Sequence, residues 1–422
     1  MNKENAQDNV DNIVYDLNSL YSAFLAAKKD SDWKPQVQKY EIDFLPNIVS
    51  TKDLLKNREY HPKPSSEFII NERGKVRPIT GLQMSDRVIR HSLCDNVLSP
   101  SLIDYLIYDN GASLKGKGID FSRKRFEEHL HKYYRMYGND GYILLMDYSK
   151  FYDNIPHDIA YREIAKHVND EFSLWLLQQI FDNFKIDVSY MNDEEFSNCM
   201  NVPFNSTEYR LKIPKSAHTG EKYMRKSVNI GDQCSQIIGI FYPTPVDNFV
   251  KIVKSQKFYG RYMDDSYVIH RDREFLVQLE IEIAEKAKEL GMTLNRKKTR
   301  IVKLSDYYKF LQITYSLTDT GRVIRKINPR RIVDMRRKLK KLSLKVIRGE
   351  RTQEEVENMF RAWMGGHAHL MSKIQRDNLN LLYFDLFGGF IDGKYYLQYY
   401  PRRQNRDSRH NEWKQLYNRR CG

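Results

Sequence analysis

Two adjacent carboxylates, Asp264 and Asp265, follow Tyr262 and Met263 between the apolar runs Phe258-Tyr259-Gly260 and Tyr267-Val268-Ile269. That pattern predicts a β-hairpin with its acids at the turn. A third acid, Asp147, ends another apolar run, Tyr142 to Met146. One strand delivering an Asp beside a hairpin delivering two more is what a pair of divalent ions needs to be held side by side. Two such ions can stabilise both the attacking and the leaving oxygen of a phosphoryl transfer. Mg²⁺ suits such a site, because it takes oxygen ligands and binds through one or two carboxylates plus substrate phosphates. An Asp pair at a turn is common by itself, so the weight falls on what surrounds it.

The elements that must position these acids are legible from periodicity. Residues 68–80 read as a strand pair turning at Asn71-Glu72-Arg73-Gly74, and 84–98 as a helix. Residues 111–118 form a Gly- and Lys-rich loop carrying Lys115 and Lys117, and 119–136 a helix. Residues 158–183 read as helical and 186–226 as an irregular insertion or β-excursion. Over 272–290, Phe275, Leu276, Leu279, Ile283, Ala287 and Leu290 recur at helical spacing, with Gly291 as the stop. Strand, helix, hairpin, helix, strand is the order of a ferredoxin-like unit. A further helix over 331–348 has Ile332, Met335, Leu339, Leu342 and Val346 on one face. Arg336, Arg337, Lys340 and Lys341 lie on the rest. Thr352 with Glu355 predicts a capping box for the next helix.

The chain of 422 residues is long enough for two or three domains. Its formal net charge of +14 implies an anionic partner, nucleic acid rather than membrane. Plentiful aromatics, 29 Tyr and 20 Phe, suit stacking of unpaired bases, although most rings belong to a core. Four scattered cysteines offer no CxxC metal pair and no disulfide framework. The sequence shows no apolar leader and no run of about 18 apolar residues, so the expected compartment is a reducing cytoplasm.

From about residue 68 to 317 the motifs resemble, in chain order, those of the reverse transcriptases. Lys75-Val76-Arg77-Pro78 looks like the fingers motif whose Lys75 and Arg77 would hold the incoming triphosphate. Asp147-Tyr148-Ser149-Lys150-Phe151-Tyr152-Asp153 resembles the first palm motif. There Asp147 and the Tyr148 backbone would ligate metal, Tyr152 would exclude a 2′-hydroxyl, and Asp153 would serve structure. Ile230-Gly231-Asp232-Gln233-Cys234-Ser235-Gln236 resembles the second, with Gly231 and Gln236 facing the nucleotide. Tyr262-Met263-Asp264-Asp265 is similar to the family's catalytic hairpin, with Tyr262 contacting nucleic acid. In Leu294-Asn295-Arg296-Lys297-Lys298-Thr299, Lys298 rather than Lys297 would protonate pyrophosphate. Phe310-Leu311-Gln312 matches the primer-grip position, where the family usually has Gly instead of Gln312.

The resemblance implies an α+β right-hand polymerase: an N-terminal helical extension (1–67), fingers and ferredoxin-like palm (68–317), a helical thumb (318–375) and a basic, aromatic C-terminal extension (376–422). It implies two Mg²⁺ ions, with Mn²⁺ as an alternative. Its expected partners are an RNA template, dNTPs and the cDNA product, with no membrane and with room for an oligomer. Lys115, Lys117, Arg336, Arg337, Lys340 and Lys341 would contact nucleic acid. The IGxxxSQ spelling is similar to that of diversity-generating retroelements and solitary bacterial enzymes. Within that group the expected role is copying a companion non-coding RNA in anti-phage defence. The alternatives are a mutagenic retroelement enzyme, an RNA-binding scaffold that the intact acids disfavour, and an RNA-directed RNA polymerase that Tyr152 disfavours.

Overall fold

The computed structural model describes residues 12–72, 75–201 and 203–388. The chain forms two compact units, Met1–Leu304 and Ser305–Gly422. The first begins with helices α1 (Leu17–Lys28), α2 (Pro35–Ile42) and α3 (Phe44–Lys56). Asp16 caps α1 by accepting from the Asn18 and Ser19 N–H groups. Leu20, Ala23, Phe24 and Ala27, spaced as one helical face, enter a core shared with the rest of the unit.

An antiparallel pair follows, β1 (Ser66–Glu72) with β2 (Lys75–Gly81), in the register Phe68 opposite Ile79. Then come α4 (Met84–Leu93), α5 (Ile119–Tyr137), β3 (Tyr142–Met146), α6 (His157–Ala165) and α7 (Glu171–Phe184). The unit ends with α8 (Gln233–Phe241), β4 (Tyr259–Tyr262), β5 (Asp265–His270), α9 (Arg273–Glu289) and β6 (Arg300–Lys303). Four of these strands form one antiparallel sheet in the order β4-β5-β3-β6. With α9 crossing between β5 and β6, that is the ferredoxin-like arrangement. β3 is central and reads as a continuous apolar run because both faces are covered, with Ile143 and Leu144 fully buried.

Two expectations gain detail. Residues 158–183 are helical, in two helices, α6 and α7. Asp170 breaks the run by capping α7, its carboxylate accepting from the Ser173 N–H and the Asn12 side chain. Residues 186–226 hold the short β-pair of a β-excursion together with two helices, rather than an irregular insertion. Ile186–Asp187 pairs with Tyr223–Met224, helices span Asp193–Asn201 and Ser206–Lys212, and Ile186, Val188, Met191, Phe204, Tyr209 and Met224 make a small core.

In the second unit β7 (Tyr308–Phe310), β8 (Ile313–Leu317) and β9 (Val323–Ile327) form a sheet in the order β9-β8-β7. Helices α10 (Pro329–Ile347), α11 (Gln353–His367) and α12 (Lys373–Phe387) follow. α10 buries Met335 and Leu339, and the capping box of Thr352 with Glu355 opens α11. The C-terminal extension beyond residue 388 lies outside the described residues.

Leu311 and Gln312 form the two-residue turn between β7 and β8, and both have positive φ, 42° and 70°. Such a turn favours Gly, because a Cβ in the left-handed region costs about 1–2 kcal/mol. Gln312→Gly is therefore expected to stabilise the second unit. The gain is at most about 1 kcal/mol once the extra freedom of Gly in the unfolded chain is deducted. Thermal melting checks this, and a fall in Tm would mean that the Gln312 side chain contributes more than its strain removes.

Candidate active site

The hairpin turn sets the geometry. Tyr262 pairs with Asp265, so Met263 and Asp264 form the turn itself, and Met263 takes a left-handed φ of 54°. Beside it, Met146 pairs with Ser266, which places Asp147 next to the Asp264-Asp265 turn at the same end of the sheet. Asp147 is 5% exposed, whereas Asp264 and Asp265 are half-buried.

The third segment reaches this end of the sheet through backbone contacts. The Ser149 N–H donates to the Thr293 carbonyl at 2.8 Å, and the Asn295 N–H to the Asp147 carbonyl at 2.7 Å. Tyr148 bridges Leu294 through its backbone. This strap delivers Lys298, whose Nζ lies 2.6 and 2.9 Å from the two Asp147 carboxylate oxygens. Both Lys297 and Lys298 are exposed, but the Lys297 contact is a backbone one, its N–H donating to the Asn295 side chain at 3.2 Å. Partial burial is the largest influence on Lys298 and works against its charge. Asp147, with Asp264 and Asp265 beyond it, nevertheless holds the ammonium above its ordinary pKa.

The Lys298 ammonium sits on the Asp147 carboxylate, with Asp264 and Asp265 as further negative charges nearby. The donor set is all oxygen, which fits a hard divalent ion that completes its shell with phosphates and water. Among the described residues no three His, Cys, Asp or Glu side chains converge closely enough to enclose an ion alone.

Tyr152 lies across the same end. Its hydroxyl faces the Met263 sulfur at 3.8 Å, and a Cβ on Gly239 of α8 would come within 2.9 Å of that hydroxyl. Burial, and then the nearby Asp264, push the phenol up to about 12. The loop carrying Tyr152 is anchored by the insertion. Asn154 donates to the Phe204 carbonyl at 3.1 Å and accepts from the Phe204 N–H at 2.8 Å. Asp153 accepts from the Ser206 side chain and N–H, so it is engaged in structure.

Gly231 has φ +102°, open to Gly at little cost, and lies 3.3 Å (from an added Cβ) off Ile79 of β2. The Thr80 N–H donates to the Ile230 carbonyl at 3.4 Å, joining the β1–β2 hairpin to this loop. Gln236 is exposed in the first turn of α8, and Arg77 is exposed on β2. The Lys75 side chain lies outside the described residues.

Other sequence candidates lie elsewhere. Lys115 is exposed. The Lys117 ammonium turns inward, to the Tyr108 and Asn110 carbonyls at 2.8 and 3.2 Å. Arg336, Arg337, Lys340 and Lys341 are exposed on α10 of the second unit.

Several supporting residues escaped sequence reading. Arg261, 1% exposed, forks onto the fully buried Asp247 with N–O distances of 2.7–2.9 Å. It also donates to the Met263 carbonyl at 3.1 Å and to the Ile240 carbonyl at 2.7 Å. The hairpin turn thus rests on a buried ion pair. A second buried pair, Arg90 with Asp232, ties α4 to α8, and Asp232 also caps α8 through the Cys234 N–H. Gly239 did carry a signal, since Gly inside a helix costs about 1 kcal/mol and asks for a packing reason.

The reverse transcriptase (RNA-dependent DNA polymerase) family matches residues 61–315. This chain belongs to that family. Its match spans β1 through the Leu311-Gln312 turn and includes all three acids and Lys298. No curated protein matches the chain. Among solved structures, the telomerase of Candida albicans in complex with a TWJ fragment of telomeric RNA is similar at 14% identity and a TM-score of 0.40. That similarity covers 65% of this chain and 46% of the telomerase chain, so this reverse transcriptase-family chain spans about half that protein's length. Among the described residues no helix is long and apolar enough to cross a membrane.

Proposed function

We propose that this chain is an RNA-directed DNA polymerase that extends a 3′-hydroxyl on an RNA template. The observation that carries the reading is the gathering of Asp147, Asp264, Asp265 and Lys298, from three separate segments, at one end of the sheet. Asp147, Asp264, Asp265 and the Tyr148 carbonyl are the metal-holding groups. Two divalent cations, Mg²⁺ or Mn²⁺, would supply activation of the attacking hydroxyl and neutralisation of the phosphates when bound. Lys298 carries a proton on Nζ, ready for the departing pyrophosphate oxygen. Lys75 and Arg77 take the triphosphate, and Gly231 and Gln236 line the nucleotide's approach. Arg336, Arg337, Lys340 and Lys341 contact backbone phosphates as part of a thumb, while Tyr262 and Lys115 contact the strands. Lys117, turned toward carbonyls, acts by shaping the loop beside them.

Tyr152 is the group that rejects a 2′-hydroxyl, backed by Gly239 and Met263. Tyr152→Ala is expected to raise the use of rNTPs relative to dNTPs by at least about tenfold. One excluded hydroxyl in a shaped pocket is worth about 1–3 kcal/mol. Single-nucleotide primer extension with paired rNTP and dNTP measures this, and an unchanged ratio would remove Tyr152 from the gate.

The role we assign is copying a companion non-coding RNA in bacterial anti-phage defence, in the cytoplasm. Support comes from the Ile230-Gly231 to Ser235-Gln236 spelling and from the basic, aromatic 376–422 segment, suited to a dedicated RNA. The test is sequencing of RNA and DNA co-purified from cells carrying the gene with its native flanks, beside an Asp264→Ala/Asp265→Ala control. Defined DNA complementary to a flanking RNA, absent from the control, supports the reading. Adenine-directed errors in it would move the role to a mutagenic retroelement. Equal DNA in both samples would sink the polymerase reading in favour of an RNA-binding scaffold.

A further inference from the structure

The end of the central sheet away from the acids opens on a cavity. Tyr142 opposite His270 marks the end of β3 and β5 away from Asp147. At about 3.3 Å per residue, the four steps to Met146 separate the two ends by about 13 Å. An open cavity of about 790 Å³ lies there, lined by α5, the start of β3, the segment before β4 and the start of α9.

Its lining combines rings with charges that, among the described residues, have no ion-pair partner. Tyr137 is 43% exposed, and its ring stands 5.2 Å from Tyr133, which packs in turn on Phe258 at 5.6 Å. Tyr142 is half-buried in the same wall. Lys257 and Arg271 are exposed, and among the described residues neither is ion-paired. Lys257 instead lies 5.8 Å over the Phe258 ring and 3.9 Å from the Met136 sulfur. Among the described residues no cation pairs with the exposed Asp140 carboxylate, while the Asp140 carbonyl accepts from the Tyr133 hydroxyl at 2.8 Å. By contrast, Asp272 is used as the α9 cap and Arg273 pairs with Glu274. Among the described residues the charges left without an ion pair or a capping role are therefore two cations and one carboxylate, beside a ring wall.

We infer that this cavity binds an unpaired nucleotide strand outside the polymerase cleft, with a base on Tyr137 and Tyr142, phosphates on Lys257 and Arg271, and Asp140 accepting from a base amino group. Rings stack on any base, cations at the rim take the backbone, and a carboxylate accepts from an exocyclic amine such as cytosine N4. A purely acidic peptide would leave the rings unused and meet Asp140. A purely apolar partner would bury two unpaired cations.

The test uses the full-length chain and fluorescein-labelled twelve-nucleotide oligo-cytidine, as RNA and as DNA, followed by anisotropy in the presence of excess template–primer duplex. We expect binding that Lys257→Glu/Arg271→Glu weakens at least about tenfold and Tyr137→Ala at least about fivefold. Primer extension on saturating template–primer should stay unchanged in both variants. Tighter RNA binding would place the site on the template side of the reaction, and tighter DNA binding on the product side. No binding of either 12-mer, or an unchanged Kd in the charge-reversal variant, would overturn the inference. All altered side chains are at the surface, and melting curves matching the wild type confirm that the fold is kept. Asp264→Ala/Asp265→Ala should bind the 12-mers like the wild type whether or not the chain polymerises, so this inference and the polymerase reading fail separately.

Discussion

Asp264→Asn is expected to lower nucleotide incorporation by at least about 10²–10³-fold, the loss typical of removing one charge-stabilising group from a reacting site. The side chain sits at the hairpin turn, half-buried, while the strands on either side keep their pairing. Asn matches Asp in shape, so the turn is retained and only the charge changes. Lys298 then loses one of the carboxylates that hold its proton, and the site loses one of its hard oxygen anions. Folding should be unaffected, because a partly exposed turn carboxylate contributes little to stability. Single-turnover primer extension beside a thermal melt separates the two effects. A rate within tenfold of wild type would take Asp264 out of the reacting centre, and the same test applies to Asp147 and Asp265.

Arg261→Met is expected to fail differently, by destabilising the first unit by about 3–5 kcal/mol. The substitution strands Asp247, fully buried, with the Tyr259 hydroxyl at 2.5 Å as its remaining described hydrogen-bond donor. It also leaves the Met263 and Ile240 carbonyls without their guanidinium donor. An uncompensated buried carboxylate is the costly part, since its desolvation is no longer offset. The double variant Arg261→Met/Asp247→Leu should therefore recover most of the stability, because replacing both members of a buried pair by apolar groups is often neutral. It should not recover activity, because no donor then holds the Met263 carbonyl and the turn carrying Asp264 is no longer positioned. Denaturant melts and primer extension on the three proteins decide this. A single variant as stable as wild type, or a fully active double variant, would show that the pair does not support the hairpin.

The local parts of the site were legible because they obey local rules. Alternating apolar runs around Asp264-Asp265 specify a hairpin, and the closing Tyr262–Asp265 pair is a two-residue turn. The α9 stripe of Leu276, Leu279, Ile283 and Ala287 is buried as its spacing requires. Lys298 rather than Lys297 could be chosen from the resemblance, and the strap through Asn295 brings that side chain to Asp147. The helices of the insertion were not legible because its order comes from a small core closed by residues distant in sequence, Ile186 paired with Met224. The break within 158–183 was not legible because one cap, Asp170, outweighs a helical pattern on both sides.

Sequence alone determined which elements form and which acids they carry, since hydrophobic period, turn chemistry and capping act over a few residues. Tertiary structure decided what holds those acids in place. Arg261 finds Asp247, Arg90 finds Asp232, and Tyr152 rests on Gly239, each across 14 to 142 positions of chain. Their value lies in burial, because a charge or hydroxyl removed from water must meet a specific partner. No local pattern announces such a partner, which only the packed fold supplies.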